Sequence, residues 1–162
     1  MNKFLDAISD KLLPLANKLA SNRYLSILRD AFMLAFPLTM FGSIVVVICN
    51  LPFLNDGTKA LLNDLLGSGQ SATMSIMTVF VTFGIGYYLS KSYDVEGIFG
   101  GAISFASFLI LTPFFTTSDG GEKVSSVLGL DRLGAKGMFL GMIVAFLAAE
   151  IYSRTSKKRM AN

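Results

Sequence analysis

The sequence contains no histidine and only one cysteine, Cys49. Histidine is the commonest general base and metal ligand, so its absence makes a Ser/His/Asp or Cys/His catalytic set impossible. A single cysteine excludes an internal disulfide framework. Because Cys49 lies near the end of an apolar stretch, we interpret it as a packing residue rather than a reactive thiol. We therefore expect no catalytic residue and no cofactor in this chain.

Charge is also scarce. Only 15% of the residues are charged, whereas average soluble domains carry about 25%. The hydrophobic share is 52% and the mean hydropathy is +0.58. A soluble enzyme is disfavoured, because the long uncharged stretches would expose far too much apolar surface to water.

Long uncharged stretches separate the charge clusters. Three of them, residues 31–55, 65–90 and 97–118, have at least 22 residues without an ionised side chain. A membrane helix needs roughly 20 residues to cross a hydrocarbon core of about 30 Å. A fourth stretch, 137–149, reaches an adequate length if its helix continues past Glu150. The sequence therefore predicts an all-α, polytopic membrane helix bundle with four transmembrane helices, at about 26–51, 71–90, 97–115 and 136–154.

The segment before the first span is amphipathic. Phe4, Ile8, Leu12, Leu15 and Leu19 follow a helical spacing, which predicts an N-terminal amphipathic helix over residues 1–22. Two placements stay open: on the cytoplasmic membrane surface, or packed on the protein's own cytoplasmic side. The membrane portion then covers residues 23–156, and residues 157–162 form a basic cytoplasmic tail.

The links between spans differ in length. Residues 53–63 contain an Asn55-Asp56-Gly57 turn signal and are predicted to be a polar loop. The link at 91–96 is so short that spans two and three should be antiparallel neighbours. The longer loop at 116–133 carries Val124 and Val127, which are compatible with a short hairpin.

The distribution of lysine and arginine predicts the orientation. With a cytoplasmic N-terminus, ten basic residues lie inside and four outside, and four spans return the C-terminus to the cytoplasm. The inside residues are Lys3, Lys11, Lys18, Arg23, Arg29, Lys91, Arg154, Lys157, Lys158 and Arg159; the outside residues are Lys59, Lys123, Arg132 and Lys136. Because these residues flank apolar segments, the expected partner is the lipid bilayer and not nucleic acid.

Small residues recur at every fourth position in the last span. Gly137, Gly141, Ala145 and Ala149 form a ridge that allows another helix to approach closely. A weaker version, Gly97 and Gly101, begins the third span. Either ridge can serve packing inside the bundle or a subunit interface.

Polar residues within the spans also allow two interpretations. Glu150 is a candidate coupling carboxylate, because ionisable groups at membrane depth are often functional. Arg154 lies four residues later, which favours a simple interfacial ion pair between Glu150 and Arg154. The hydroxyl side chains of the spans are compatible with a sugar path, or with hydrogen bonds to backbone carbonyls inside the bundle.

Three stretches together resemble a known family. They are YLSILRDAF at 24–32 with PLTMFGS at 37–43, YYLSKSYDVEG at 87–97 with SFLILTP at 107–113, and LGAKGMF at 133–139 with AEIY at 149–152. Their order and spacing are similar to the N-terminal portion of enzyme IIC, the sugar permease of the bacterial phosphotransferase system, in its lactose/cellobiose/chitobiose branch.

The resemblance implies a homodimeric, multi-pass permease of the bacterial inner membrane with both termini cytoplasmic. Such a permease takes up a disaccharide and presents it to enzyme IIB, a phosphocysteine protein that phosphorylates it. Family members are longer, and their sugar-contacting histidine and glutamate lie in a C-terminal half, so we expect this chain to be the scaffold and dimerisation part. An alternative of another class is a small self-associating membrane protein with a structural or pore-forming role.

Overall fold

The structure, a computed structural model, describes residues 21–117, 123–125 and 127–160. The predicted amphipathic helix at 1–22 falls almost wholly outside these residues. The described helices are α1 Arg23–Cys49, α2 Asp56–Ser71, α3 Met77–Lys91, α4 Gly97–Leu111, α5 Leu130–Leu133 and α6 Met138–Met160. Short 3₁₀ turns, Met74–Ile76 and Ala135–Gly137, precede α3 and α6.

Polar side chains cap both ends of α1. The Asn22 side chain accepts a hydrogen bond from the Tyr24 backbone N–H, which satisfies one of the free donors of the first turn. At the other end the Asn50 side chain donates to the Val46 carbonyl. The 27 residues between these caps span about 40 Å at 1.5 Å per residue, which is ample for a bilayer.

The predicted polar loop at 53–63 is wrong, because most of it belongs to α2. Asn55 starts this helix: its side chain accepts hydrogen bonds from the Thr58 N–H and hydroxyl, while Asp56 occupies the first turn. Asn, Asp and Gly favour turns, but Asn is equally a preferred N-cap, and local sequence does not separate the two uses. The helical segment that contains the predicted second span, 71–90, therefore begins before residue 71. In it α2, the 3₁₀ turn and α3 follow one another over Asp56–Lys91.

Three helical segments of the described chain are long and apolar enough to cross a membrane: Arg23–Cys49, Asp56–Lys91 and Ala135–Arg159. The third predicted span, 97–115, corresponds to α4, a shorter apolar helix of 15 residues. It ends at Leu111 and not at 115, because Pro113 cannot continue the ladder of backbone hydrogen bonds. The helical membrane class is thus confirmed, whereas the number four remains a prediction.

A two-stranded antiparallel hairpin follows α4. Strand β1, Phe115–Thr117, pairs with β2, Lys123–Ser125, with Thr116 opposite Val124. A hairpin was predicted in this loop, although Val127 lies beyond the second strand.

Helix α3 lies at the centre of the bundle and packs against α1, α4 and α6. Its residues Val81, Ile85 and Leu89 are fully buried, together with Ala31 of α1 and Ala145 of α6. The Arg23 side chain at the start of α1 bonds Ser92, just after α3, so α1 and α3 are antiparallel. Gly97 at the start of α4 lies beside Tyr87 near the end of α3, so α4 is antiparallel to α3. Ser153 in the last part of α6 bonds Ser90 at the end of α3, so α6 is parallel to α3.

These directions give the bundle two distinct ends. The basic end contains Arg23, Lys91, Arg154 and the lysines and arginine at 157–159. The opposite end contains the C-terminus of α1, the hairpin and the turn before α6. At the basic end Asp94 adopts a left-handed backbone conformation with φ 61°, and the Val95 N–H donates back to the Ser90 carbonyl. This tight turn makes α3 and α4 the antiparallel neighbours that the short link predicted.

Candidate functional site

The predicted ridge of the last span lies inside the bundle. A side-chain carbon added at Gly141 would lie 2.6 Å from Thr78 Cγ2 and 2.7 Å from Thr82 Cγ2, so α6 touches α3 closely there. Ala145 and Ala149 are fully buried in the same core. Gly137 belongs to the 3₁₀ turn, where an added carbon would meet the Arg132 carbonyl oxygen. The structure thus uses this ridge for packing within the chain.

Gly97 and Gly101 are covered by aromatic rings of the neighbouring helix. Added carbons would lie 2.9 Å from Tyr87 Cδ2 and 2.8 Å from Phe83 Cε2, respectively. Both glycines are buried, and the absence of side chains leaves room for the two rings, whose planes are 17° apart. This ridge too is occupied within the chain.

The closest helix contact was missed by the sequence analysis. A carbon added at Gly86 would lie 2.4 Å from the Gly100 carbonyl oxygen, and one added at Gly100 would lie 1.8 Å from Ser90 Oγ. The sequence does carry a signal for this contact, namely two pairs of small residues spaced four apart. They are Gly86 and Ser90 on α3, and Gly100 and Ser104 on α4. Two such pairs facing each other permit this backbone approach.

Hydroxyl groups join α6 to this contact. Ser153 Oγ donates to Ser90 Oγ at 3.1 Å, and Ser104 Oγ donates to the Ala145 carbonyl at 3.2 Å. Thr78 Oγ1 donates to the Gly134 carbonyl at 2.6 Å, which anchors the turn before α6 on α3. These buried hydroxyls already have partners, as groups in an apolar medium require. They therefore favour the packing interpretation over a sugar path.

Glu150 and Arg154 form an ion pair at the basic end, with Arg154 Nη2 and Glu150 Oε1 2.8 Å apart. The Tyr93 hydroxyl donates to the same carboxylate oxygen. Tyr93 lies in the turn between α3 and α4, so this hydrogen bond ties that turn to α6. Donation to the carboxylate raises the pKa of Tyr93 and keeps its hydroxyl protonated.

Arg23 extends the network to α1. Its guanidinium carbon lies 3.8 Å from the Tyr93 ring centroid, and its Nε and Nη2 donate to Ser92 Oγ at 2.9 and 2.6 Å. The sequence analysis missed Arg23 and Tyr93, because partners on different helices leave no short-range pattern. The network links α1, α6 and the α3–α4 turn.

This network holds helices together. Glu150 Oε1 accepts from both Tyr93 and Arg154, while Oε2 is buried without a hydrogen-bond partner in the described chain. Among the described residues no group of three or more His, Cys, Asp or Glu side chains is placed to hold a metal ion.

Comparison with known proteins identifies a family. The family model described as "Phosphotransferase system, EIIC" matches residues 29–162. The oligo-beta-mannoside-specific EIIC component of Bacillus subtilis (strain 168) is 58% identical over 96% of this chain and 36% of its own length. The lichenan permease IIC component of the same organism is 37% identical over 94% of this chain and 36% of its own length.

A solved structure shares the fold. The transporter ChbC, the IIC component of the N,N'-diacetylchitobiose-specific phosphotransferase system, superposes with a TM-score of 0.81 at 32% identity, over 94% of this chain and 38% of that one. The chain thus spans a little over a third of the length of these three relatives.

Proposed function

The chain belongs to the phosphotransferase system EIIC family of membrane sugar permeases, and from this premise we propose that it is the N-terminal scaffold of a permease for a short oligosaccharide. The observation that carries the proposal is the 58% identity to an oligo-beta-mannoside-specific EIIC component over nearly the whole chain. Cellobiose-, lichenan- and chitobiose-related relatives at 32–37% identity support the same substrate class.

The packing of the described helices suits a scaffold. The buried hydroxyls are hydrogen-bonded within the bundle, and its glycine contacts hold α3, α4 and α6 at short distances. The sugar-contacting groups would then come from a part of the permease that corresponds to the remaining length of the relatives, which this chain does not cover. In this proposal the chain does not transport without that part.

We propose four membrane crossings with the basic end in the cytoplasm. At 1.5 Å per residue α4 measures about 22 Å, and the extended residues at its end would complete the crossing. The basic end carries Arg23, Lys91, Arg154 and the cations at 157–159, in keeping with the positive-inside rule. Enzyme IIB, which phosphorylates the sugar, would therefore meet this end.

A homodimer is part of the proposal, but the glycine–alanine ridges are a poor choice for its interface because they are already buried. A surface that remains available is the exposed apolar face of α1, which includes Met33, Phe36, Met40 and Val47. The alternative of a small self-associating pore protein loses the ridges that motivated it, since both pack within the chain.

Complementation tests the proposed function. Cells lacking the oligo-beta-mannoside EIIC component would carry the chain alone, the unmatched part of that relative alone, or the two joined. We expect uptake and phosphorylation of labelled mannobiose only with the joined protein. The proposal fails if the chain alone supports uptake, or if the joined protein is present in the membrane but inactive while the intact relative transports. A general solute leak through the chain alone would instead support the pore alternative.

A further inference from the structure

A cavity of about 240 Å³ lies at the opposite end, between the end of α4 and the start of α6. Its apolar lining includes Phe108 and Leu140, and its polar lining includes Thr112, Asp131, Arg132 and Lys136. The cavity is remote from the Glu150 network, which lies at the basic end. Neither the helix contacts nor that network uses its charged groups.

Two cations of this cavity have no anionic partner in the described part of the chain. Arg132 and Lys136 form no ion pair there, and the Arg132 guanidinium carbon lies 5.3 Å from the Phe115 ring centroid, which steadies it. A guanidinium in this state keeps its forked N–H donors free for an external acceptor.

The other polar groups do not neutralise the pair. Asp131 Oδ1 lies close to Gly129, 2.7 Å from where a side-chain carbon would be, so the carboxylate is turned back along its own chain. The Thr112 hydroxyl already donates to the Phe108 carbonyl at 2.8 Å. With two cations and one carboxylate, the lining carries a net charge of +1.

The cavity lies where polar and apolar segments meet. Lys136 immediately precedes the uncharged stretch 137–149, and Thr112 follows the uncharged helix α4. Below them Leu140 and its neighbour Phe139 are exposed on the outside of the bundle. In a bilayer this boundary is the level of the lipid headgroups, where lysine and arginine meet phosphates.

We propose that this cavity binds a phosphate group, with Arg132 as the forked donor and Lys136 as a second, compact charge. Anionic lipid headgroups and free phosphate share this chemistry. The exposed apolar side chains beneath the cavity favour the phosphodiester of an anionic lipid. The proposal does not depend on the sugar transported.

Native mass spectrometry of the full chain in detergent tests the proposal with phosphatidylglycerol, phosphatidylcholine and inorganic phosphate as probes. We expect phosphatidylglycerol to be retained about tenfold more strongly than phosphatidylcholine, as one charge-assisted contact of about 1.4 kcal/mol would give. Arg132→Gln and Lys136→Gln should each remove this preference. Lys59→Gln, which removes a lysine outside the cavity, should leave it intact.

Further measurements separate loss of phosphate recognition from loss of folding, and distinguish anionic lipid from free phosphate as the ligand. Arg132→Lys keeps the charge but loses the fork, so we expect an intermediate preference. Burial of the Cys49 thiol, measured by maleimide labelling, shows which variants are folded. Saturable binding of inorganic phosphate that Arg132→Gln abolishes would assign the cavity to free phosphate. The proposal is overturned if folded Arg132→Gln and Lys136→Gln retain phosphatidylglycerol and inorganic phosphate as the original chain does, or if Lys59→Gln weakens binding equally.

Discussion

The substitution Gly100→Ala tests the close contact of α3 and α4 most sharply. The added methyl group would lie 1.8 Å from Ser90 Oγ, 2.6 Å from Ser90 Cβ and 2.7 Å from the Gly86 carbonyl oxygen. Rotation of the serine hydroxyl relieves only the first of these contacts. The other two atoms move only with the backbone of α3, so the helices must separate.

The cost follows from these distances. To bring the Gly86 oxygen from 2.7 Å to an ordinary 3.4 Å, the helices must move apart by roughly 0.7 Å. Overpacking of this kind costs about 1–3 kcal/mol, and loss of the Ser153–Ser90 hydrogen bond adds about 1 kcal/mol. The better helix propensity of alanine returns about 1 kcal/mol. We expect a net loss of about 1–3 kcal/mol and a Tm roughly 2–12 °C lower.

The single cysteine provides the assay. Cys49 is 3% exposed, so a fluorogenic maleimide in detergent should react with it only as the chain unfolds on heating. Gly67→Ala is the matched control, because nothing lies within 4 Å of its added carbon. We expect it to be as stable as the original chain, or more stable by about 0.5–1 kcal/mol. Adding Ser90→Gly to Gly100→Ala should restore part of the loss. Equal Tm values for Gly100→Ala and Gly67→Ala would refute the close packing.

Three further changes test individual contacts. Thr78→Val removes the donor to the Gly134 carbonyl and should cost about 1 kcal/mol in the same thermal assay, whereas an unchanged Tm would mean that this bond contributes nothing. Asp94→Val should cost about 1–2 kcal/mol because of the left-handed backbone, while Asp94→Gly should be tolerated; similar losses in both would contradict that reason. Because its folded pKa is raised, Tyr93 contributes stability fully below its ordinary value of 10.0, and this is lost as the pH rises through the folded value. Tyr93→Phe should therefore be less stable at pH 7 and lose less stability above pH 10, measured by circular dichroism on heating; identical pH profiles would argue against the Glu150 contact.

The membrane helices were predictable from sequence because a bilayer penalises unpaired charges along a whole span. The charge-free stretches therefore located α1, α3 and α6, and the short link at 91–96 established that α3 and α4 are adjacent. The ion pair of Glu150 and Arg154 was predictable because both residues lie on one helix, four positions apart.

Contacts between helices were much harder to predict. Gly86 and Gly100 carry recognisable small-residue spacings, but the spacing does not say which helix each one faces. Tyr93 and Glu150 are 57 residues apart, and nothing near either residue points to the other. The start of α2 was not predicted for another reason. Asn55 is equally suited to a turn and to a helix cap, and α2 has no buried residues whose spacing would have indicated a helix.

Cysteine accessibility tests the proposed membrane arrangement most directly. In a Cys49→Ser background, Asp56→Cys and Ala135→Cys would report on the opposite end, and Glu96→Cys and Lys157→Cys on the basic end, with each variant expressed alone. We expect a membrane-impermeant maleimide to label the first two in intact cells and the last two only after the membrane is permeabilised. Labelling of Ala135→Cys only after permeabilisation would show that α4 does not cross, and would contradict the four-span permease scaffold.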